Sequence, residues 1–185
     1  MTSAASVGGD GSLRLFCALT LPAETLARLE KWQAGLTPRR HRPVARENLH
    51  ITLAFLGARP ALEVDAIGAE LAAAAAAARP IVLRAVRYRE TRSVGMVVFD
   101  DQDDAAGELA RDLHGRLERL GVYEPERRPW LPHVTVVRFR ERPRLSPSPP
   151  ELGGVGPSGA AVYMSQLRPT GAEYVVIQEC RLGGG

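Results

Sequence analysis

Lysine is almost missing from this 185-residue chain. Lys31 is the only one, so the formal net charge of +3 and the isoelectric point of about 9.2 come from arginine. The planar guanidinium fork matches a phosphate better than a lysine point charge does. The arginines gather in short stretches at 38–46, 84–92, 126–128 and 138–144. That pattern gives a modest basic rim and not a broad nucleic-acid platform. Cysteine is scarce as well. Cys17 and Cys180 both sit in apolar, strand-like stretches, read as packing residues and call for no disulfide. No run approaches the roughly 18 consecutive apolar residues of a membrane-spanning helix, and 72–78 is alanine that fills a helix. Residues 1–12 are small and polar, without the basic start and apolar stretch of a secretory signal, and are expected to form a flexible leader. A cytoplasmic compartment is the expectation that follows. The remaining residues, 13–185, suffice for one domain, or for two small lobes sharing a core.

What the chain does have is a repeated pattern. His50-Ile51-Thr52-Leu53 and His133-Val134-Thr135-Val136 each read histidine, apolar, threonine, apolar. In a strand, side chains two apart share a face, so each segment presents an imidazole and a hydroxyl together. Leu49, Ile51, Leu53 and Phe55 alternate with His50, Thr52 and Ala54, the period of a half-buried strand. By that parity Phe55 belongs to the core. Two such faces brought together make a two-histidine site. His-x-Thr is not a metal spacing, and no Asp or Glu stands beside either segment to complete a zinc or two-metal centre, so no metal and no cofactor are expected. The other two histidines, His41 in an arginine-rich loop and His114 on a helix, read as solvated.

The order of elements repeats too. A strand over 13–19 leads, with Thr20 as a cap and Pro22 in the first turn, into a helix to about Ala34, then a loop and the His50 strand. A second strand, helix, loop and His133 strand run from Gly95 to Phe139, with the two histidines 83 positions apart. The spacing predicts two lobes related by an approximate twofold axis across a cleft. Between them lie an alanine-rich helix over 61–78 and a strand over 81–88, which forms a hairpin with the strand over 95–99 that opens the second unit. Residues 142–159, rich in Pro, Ser and Gly, are expected to form a mobile loop, and 160–167 and 172–182 a closing hairpin.

Arg14-Leu15-Phe16-Cys17-Ala18-Leu19, the stretch Glu47 to Gly57, the stretch Trp130 to Arg138, and Ser165-Gln166-Leu167 before Gly171-Ala172-Glu173-Tyr174 together resemble the 2H phosphoesterase superfamily. Within it they most resemble the RNA 2′,3′-cyclic phosphodiesterases, also described as 2′-5′ RNA ligases. The resemblance implies an α+β, bilobal 2H phosphoesterase fold, with antiparallel sheets lining a central cleft and helices outside. It implies hydrolysis of 2′,3′-cyclic phosphate termini of RNA to 2′-phosphates. Small cyclic-phosphate nucleotides stand beside RNA ends as expected partners, and a monomer is the default expectation. His50 inherits the role of proton donor and His133 that of proton acceptor. Thr52, Thr135 and Arg138 match the phosphate-contacting positions, and Phe55 a position near the base.

The chemistry is consistent with the residue types. Opening a cyclic phosphodiester needs a base for water and an acid for the departing ribose oxygen, and histidine serves as either near neutral pH. Arg138 poses a geometric condition. Five residues after His133, it falls on the opposite face of a regular strand unless a bulge near Val137 swings it round. Two further readings stand beside hydrolysis: 2′-5′ RNA ligation by the same site, and a module that binds nucleotides or RNA ends without turnover.

Overall fold

The computed structural model describes residues 11–36, 42–168 and 171–183. The expected leader lies almost wholly outside these, as do His41 and the Pro169-Thr170 tip of the closing hairpin. Strands β1 (Ser12–Thr20), β2 (Arg42–Pro43), β3 (Ile51–Pro60), β4 (Leu83–Glu90), β5 (Val94–Asp100), β6 (His133–Arg138), β7 (Gly154–Val155), β8 (Gly159–Arg168) and β9 (Gly171–Cys180) alternate with helices α1 (Ala23–Ala34), α2 (Val64–Ala77) and α3 (Ala105–Arg119). Short 3-10 turns at Arg46–Asn48 and Ala61–Glu63 complete the path. No described helix is long and apolar enough to cross a membrane.

The strands form one nine-stranded antiparallel sheet in the order β7-β4-β5-β6-β3-β1-β8-β9, with β2 paired to β6. The expected lobes are therefore the two ends of a continuous sheet, joined where β3 and β6 share a single pair, Ile51 with Val134. Around that seam the order is palindromic: β5-α3-β6 on one side answers β1-α1-β3 on the other.

β1 is buried on both faces. Leu15, Cys17 and Leu19 enter the main core, while Phe16 and Ala18 join Ala161 and Tyr163 in a second, smaller cluster. Burial pushes the Cys17 thiol up to about 12, as befits a packing residue. α3 buries Ala106, Leu109, Ala110, Leu113 and Leu117, the i, i+3, i+4 stripe of an amphipathic helix. α1 buries a narrower stripe of Thr25, Leu29 and Gln33. The two helices are exchanged between the halves: α1 lies against β6, and α3 against β3.

One local expectation is corrected. Thr20 does not cap α1. Pro22 occupies that position, and the Thr20 hydroxyl is hydrogen-bonded to that of Ser158 at 3.0 Å. The segment 142–159 carries the two-residue strand β7 against β4 and is held by definite contacts. The Glu90 carboxylate, with its side chain 2% exposed, accepts the backbone N–H groups of Arg144 and Leu145, and the Trp32 indole donates to the Ser148 carbonyl at 3.0 Å.

Candidate active site

At the seam, the pairing of Ile51 with Val134 sets His50 beside Thr135 and Thr52 beside His133, because one step back on β3 is one step forward on its antiparallel neighbour. Beyond that pair the strands part: β3 follows β1, and β2 takes the place beside β6. The parting opens a cavity whose walls include His50, Thr52, Thr135, Arg138 and Tyr174. His133 is not among those walls. It stands at the start of β6, near enough for its charge to lower the proton affinity of His50.

Both imidazoles are held in the same way. The Nδ1–H of His50 donates to the Asn48 carbonyl, and that of His133 to the Leu131 carbonyl, each two residues back and each at 2.8 Å. Those bonds leave Nε2 of each ring as the nitrogen not tied to the backbone. In His50 it lies 3.1 Å from the Thr52 hydroxyl, which donates to it when the ring is neutral. Behind His50 stand Phe16 at 4.9 Å between ring centroids, Tyr174 edge-on at 5.3 Å, and Tyr163 stacked at 5.7 Å. Burial in this aromatic nest is the largest influence on His50, and the positive charges of His133 and Arg138 add to it. Together they outweigh the Asn48 hydrogen bond and lower its pKa to about 4. At pH 7 His50 is therefore neutral.

Arg138 reaches the cleft by the device its spacing demands. Thr135 pairs with Met96 but Val137 with Gly95, so Val136 is an extra residue on β6. Val136 and Val137 are consecutively buried, and Arg138 comes round to the side of Thr135, its guanidinium donating to the Tyr174 hydroxyl at 3.3 Å.

The same device overturns the parity reading of Phe55. Ala18 pairs with Thr52 and Cys17 with Ala54, which makes Leu53 the extra residue on β3. Phe55 is turned out of the core, 48% exposed, into a groove shared with Arg14, His50 and Arg138. The Arg14 guanidinium lies 5.3 Å from the centre of its ring. A second register shift lies at Leu56, where Gly57 supplies a φ of +69°.

His114 is not solvated, as the sequence suggested. It stacks on Tyr123 at 4.7 Å and its Nε2–H donates to the Leu53 carbonyl at 2.7 Å. Tyr174, Phe16, Tyr163 and Trp130 are also site residues that pattern reasoning missed. The first three stand on β9, β1 and β8, strands that carry neither motif, and only sheet pairing brings them in. Trp130, three residues before His133, donates its indole N–H to the Thr52 carbonyl at 2.9 Å and so ties the two motifs together. Among the described residues, no three His, Cys, Asp or Glu side chains gather in a way that would hold a metal ion.

The family model of the 2′-5′ RNA ligase superfamily matches residues 21–162. A protein of Thermus thermophilus named RNA 2′,3′-cyclic phosphodiesterase is 35% identical, over 93% of this chain and 91% of its own length. One of the same name from Escherichia coli is 31% identical over 74% and 77%. Among solved structures, TT0787 of Thermus thermophilus superposes with a TM-score of 0.80 at 29% identity, covering 93% of this chain and 99% of its own. E. coli LigT in complex with phosphate gives 0.74 at 25% identity, covering 93% and 98%. With both His-Thr segments side by side at the seam of a sheet shared with these proteins, the chain belongs to the 2′-5′ RNA ligase superfamily.

Proposed function

We propose that the protein opens 2′,3′-cyclic phosphate termini of RNA to 2′-phosphates by acid-base catalysis between its two motif histidines, without a metal. The observation that carries this reading is the meeting of His50, Thr52, Thr135 and Arg138 on one cavity, in a chain whose relatives bear the name of that activity. That LigT, of the same fold, is known in complex with phosphate supports an anion as the ligand. Neutral His133 takes a proton from water as its oxygen bonds to phosphorus. The P–O3′ bond breaks on the far side, and His50 Nε2–H gives its proton to O3′. Thr52, Thr135 and Arg138 hold the nonbridging oxygens as charge builds.

The low proton affinity of His50 sets a condition on its role. Raising a pKa from about 4 to about 7 takes roughly 4 kcal/mol. A phosphate anion about 4 Å away supplies about that much at an effective dielectric of ~20. His50 therefore takes up its proton together with the substrate. One observation favours the exchanged assignment, in which His50 accepts and His133 donates: the unprotonated Nε2 of neutral His50, which accepts from the Thr52 hydroxyl. Imidazole titration by NMR with a bound 2′-phosphate product separates the two. His50 rising above pH 6 supports its role as donor; His50 remaining near 4 while His133 is charged exchanges the roles.

Incubation with an oligonucleotide ending in a 2′,3′-cyclic phosphate tests the function itself. Product carries a 2′-phosphate, chelator leaves the rate unchanged, and His50→Ala or His133→Ala each lowers it by about 10²- to 10⁴-fold. Saturable binding without product would instead make the protein a binding module. Joining of two RNA fragments in place of hydrolysis would make it a ligase.

A further inference from the structure

The two motifs share more than histidine and threonine. Three residues after each threonine stands a side chain of the wrong parity, Phe55 after Thr52 and Arg138 after Thr135, and each is turned into the cleft by one extra residue, Leu53 or Val136. An extra residue disturbs the hydrogen-bond ladder, and a buried carbonyl left over there needs a donor from elsewhere. In both strands a side chain of the helix beneath donates to the carbonyl of the extra residue, at Val136 together with a backbone N–H.

Gln33 of α1 is one of three buried polar or charged residues among those described. Its amide donates to the Val136 carbonyl at 2.6 Å and to the Val44 carbonyl at 3.1 Å, which uses both hydrogens of the NH₂ group. The Val44 N–H meets the same Val136 carbonyl at 2.9 Å. Across the pair, residue 95 is glycine, where a Cβ would come within 2.0 Å of the Tyr88 hydroxyl and 2.7 Å of the Val137 side chain, so the opposite strand leaves room for both. His114 of α3 answers Gln33: its Nε2–H meets the Leu53 carbonyl at 2.7 Å, and Tyr123 stacked on the ring keeps it aimed. The relation is crossed, since α1 precedes the first motif but holds the second, and α3 precedes the second but holds the first.

We infer that Gln33 and His114 are positioning residues, each holding the bulge that turns one ligand-facing side chain into the cleft: Gln33 for Arg138, and His114 for Phe55. The inference rests on the proposed reading of the cleft as a cyclic-phosphodiesterase site. It separates two functions that a general packing role would not. Gln33 acts on the grip on phosphate, which any anion of that shape reports. His114 acts on the part of the substrate that lies over Phe55, which a bare phosphate lacks.

The test is a pair of double-mutant cycles in the full chain. Gln33→Met keeps the volume and removes both donors. It lowers the affinity for inorganic phosphate and kcat/KM for a cyclic-phosphate dinucleotide by roughly 10- to 100-fold. Combined with Arg138→Ala it adds little further loss, whereas with Phe55→Ala the losses multiply. His114→Phe keeps the stack on Tyr123 but not the donor, and raises KM for the dinucleotide while phosphate affinity holds. His114→Gln, whose Nε2–H can reach the same carbonyl, restores KM. If Gln33→Met yields no folded protein, the His114 series decides the matter alone. Losses that multiply in every combination, or a KM that His114→Phe leaves untouched, overturn the inference. Failure of the wild type to turn over any cyclic phosphate overturns the proposed function instead, and phosphate affinity still reports whether Gln33 and Arg138 are coupled.

Discussion

His50 binds its proton poorly because Phe16, Tyr163 and Tyr174 replace the water that would solvate an imidazolium. Its folded pKa of about 4 lies below the value near ~6.5 of an unfolded chain, so the unfolded state binds more protons between these two. Stability due to His50 is therefore complete above about pH 6.5 and is lost as the pH falls toward 4, to an extent of about 3 kcal/mol. Urea midpoints measured from pH 7 to pH 4 should fall more steeply for the wild type than for His50→Gln. Equal slopes would mean that the ring is not desolvated as described. At Phe55 the prediction is of binding alone. The ring is half exposed, so Phe55→Ala should leave the free energy of urea unfolding within about 0.5 kcal/mol of wild type. KM for an oligonucleotide should rise, and a KM unmoved would remove the ring from the substrate's path.

At the scale of elements, strand and helix positions are legible wherever a period extends over several residues. The alternation of Leu49 to Phe55 marks β3, and the spacing of Leu109, Leu113 and Leu117 marks α3. β2 and β7, each of two residues, carry no period and are not legible. The bulges at Leu53 and Val136 are illegible for a different reason: register belongs to a pair of strands, and one strand's sequence does not contain its partner's. The spacing of Arg138 nevertheless demands such a bulge, because a guanidinium on the wrong face could not share a site with Thr135. The segment after β6 is anchored by Glu90, whose carboxylate accepts two backbone N–H groups together with the Tyr88 hydroxyl and the Arg142 guanidinium. Glu90→Ala removes the acceptor shared by those four donors and should cost about 1–3 kcal/mol in urea unfolding, with faster proteolysis between 142 and 150. A loss under about 1 kcal/mol would show that the segment is held by other means.

The whole molecule has two halves in its chain order but not in its packing. With α1 against β6 and α3 against β3, neither half completes its own core. Unfolding should accordingly be a single transition. Leu29→Ala in α1 and Leu113→Ala in α3, both fully buried, should each cost about 2–5 kcal/mol. Each should shift the transitions seen by circular dichroism and by tryptophan fluorescence together, and separate midpoints would count against the exchange of helices.

The sequence by itself determined that histidine and threonine come in two matching sets, because residue type and a spacing of two are local properties of one strand. It determined the alternating strand and helix order for the same reason. Only the tertiary structure decided that the two sets meet at one pair of residues in a continuous sheet. It alone turned Phe55 and Arg138 to the cleft, gathered three aromatic rings from other strands behind His50, and thereby set the proton affinity of that ring, since register and burial exist only between segments.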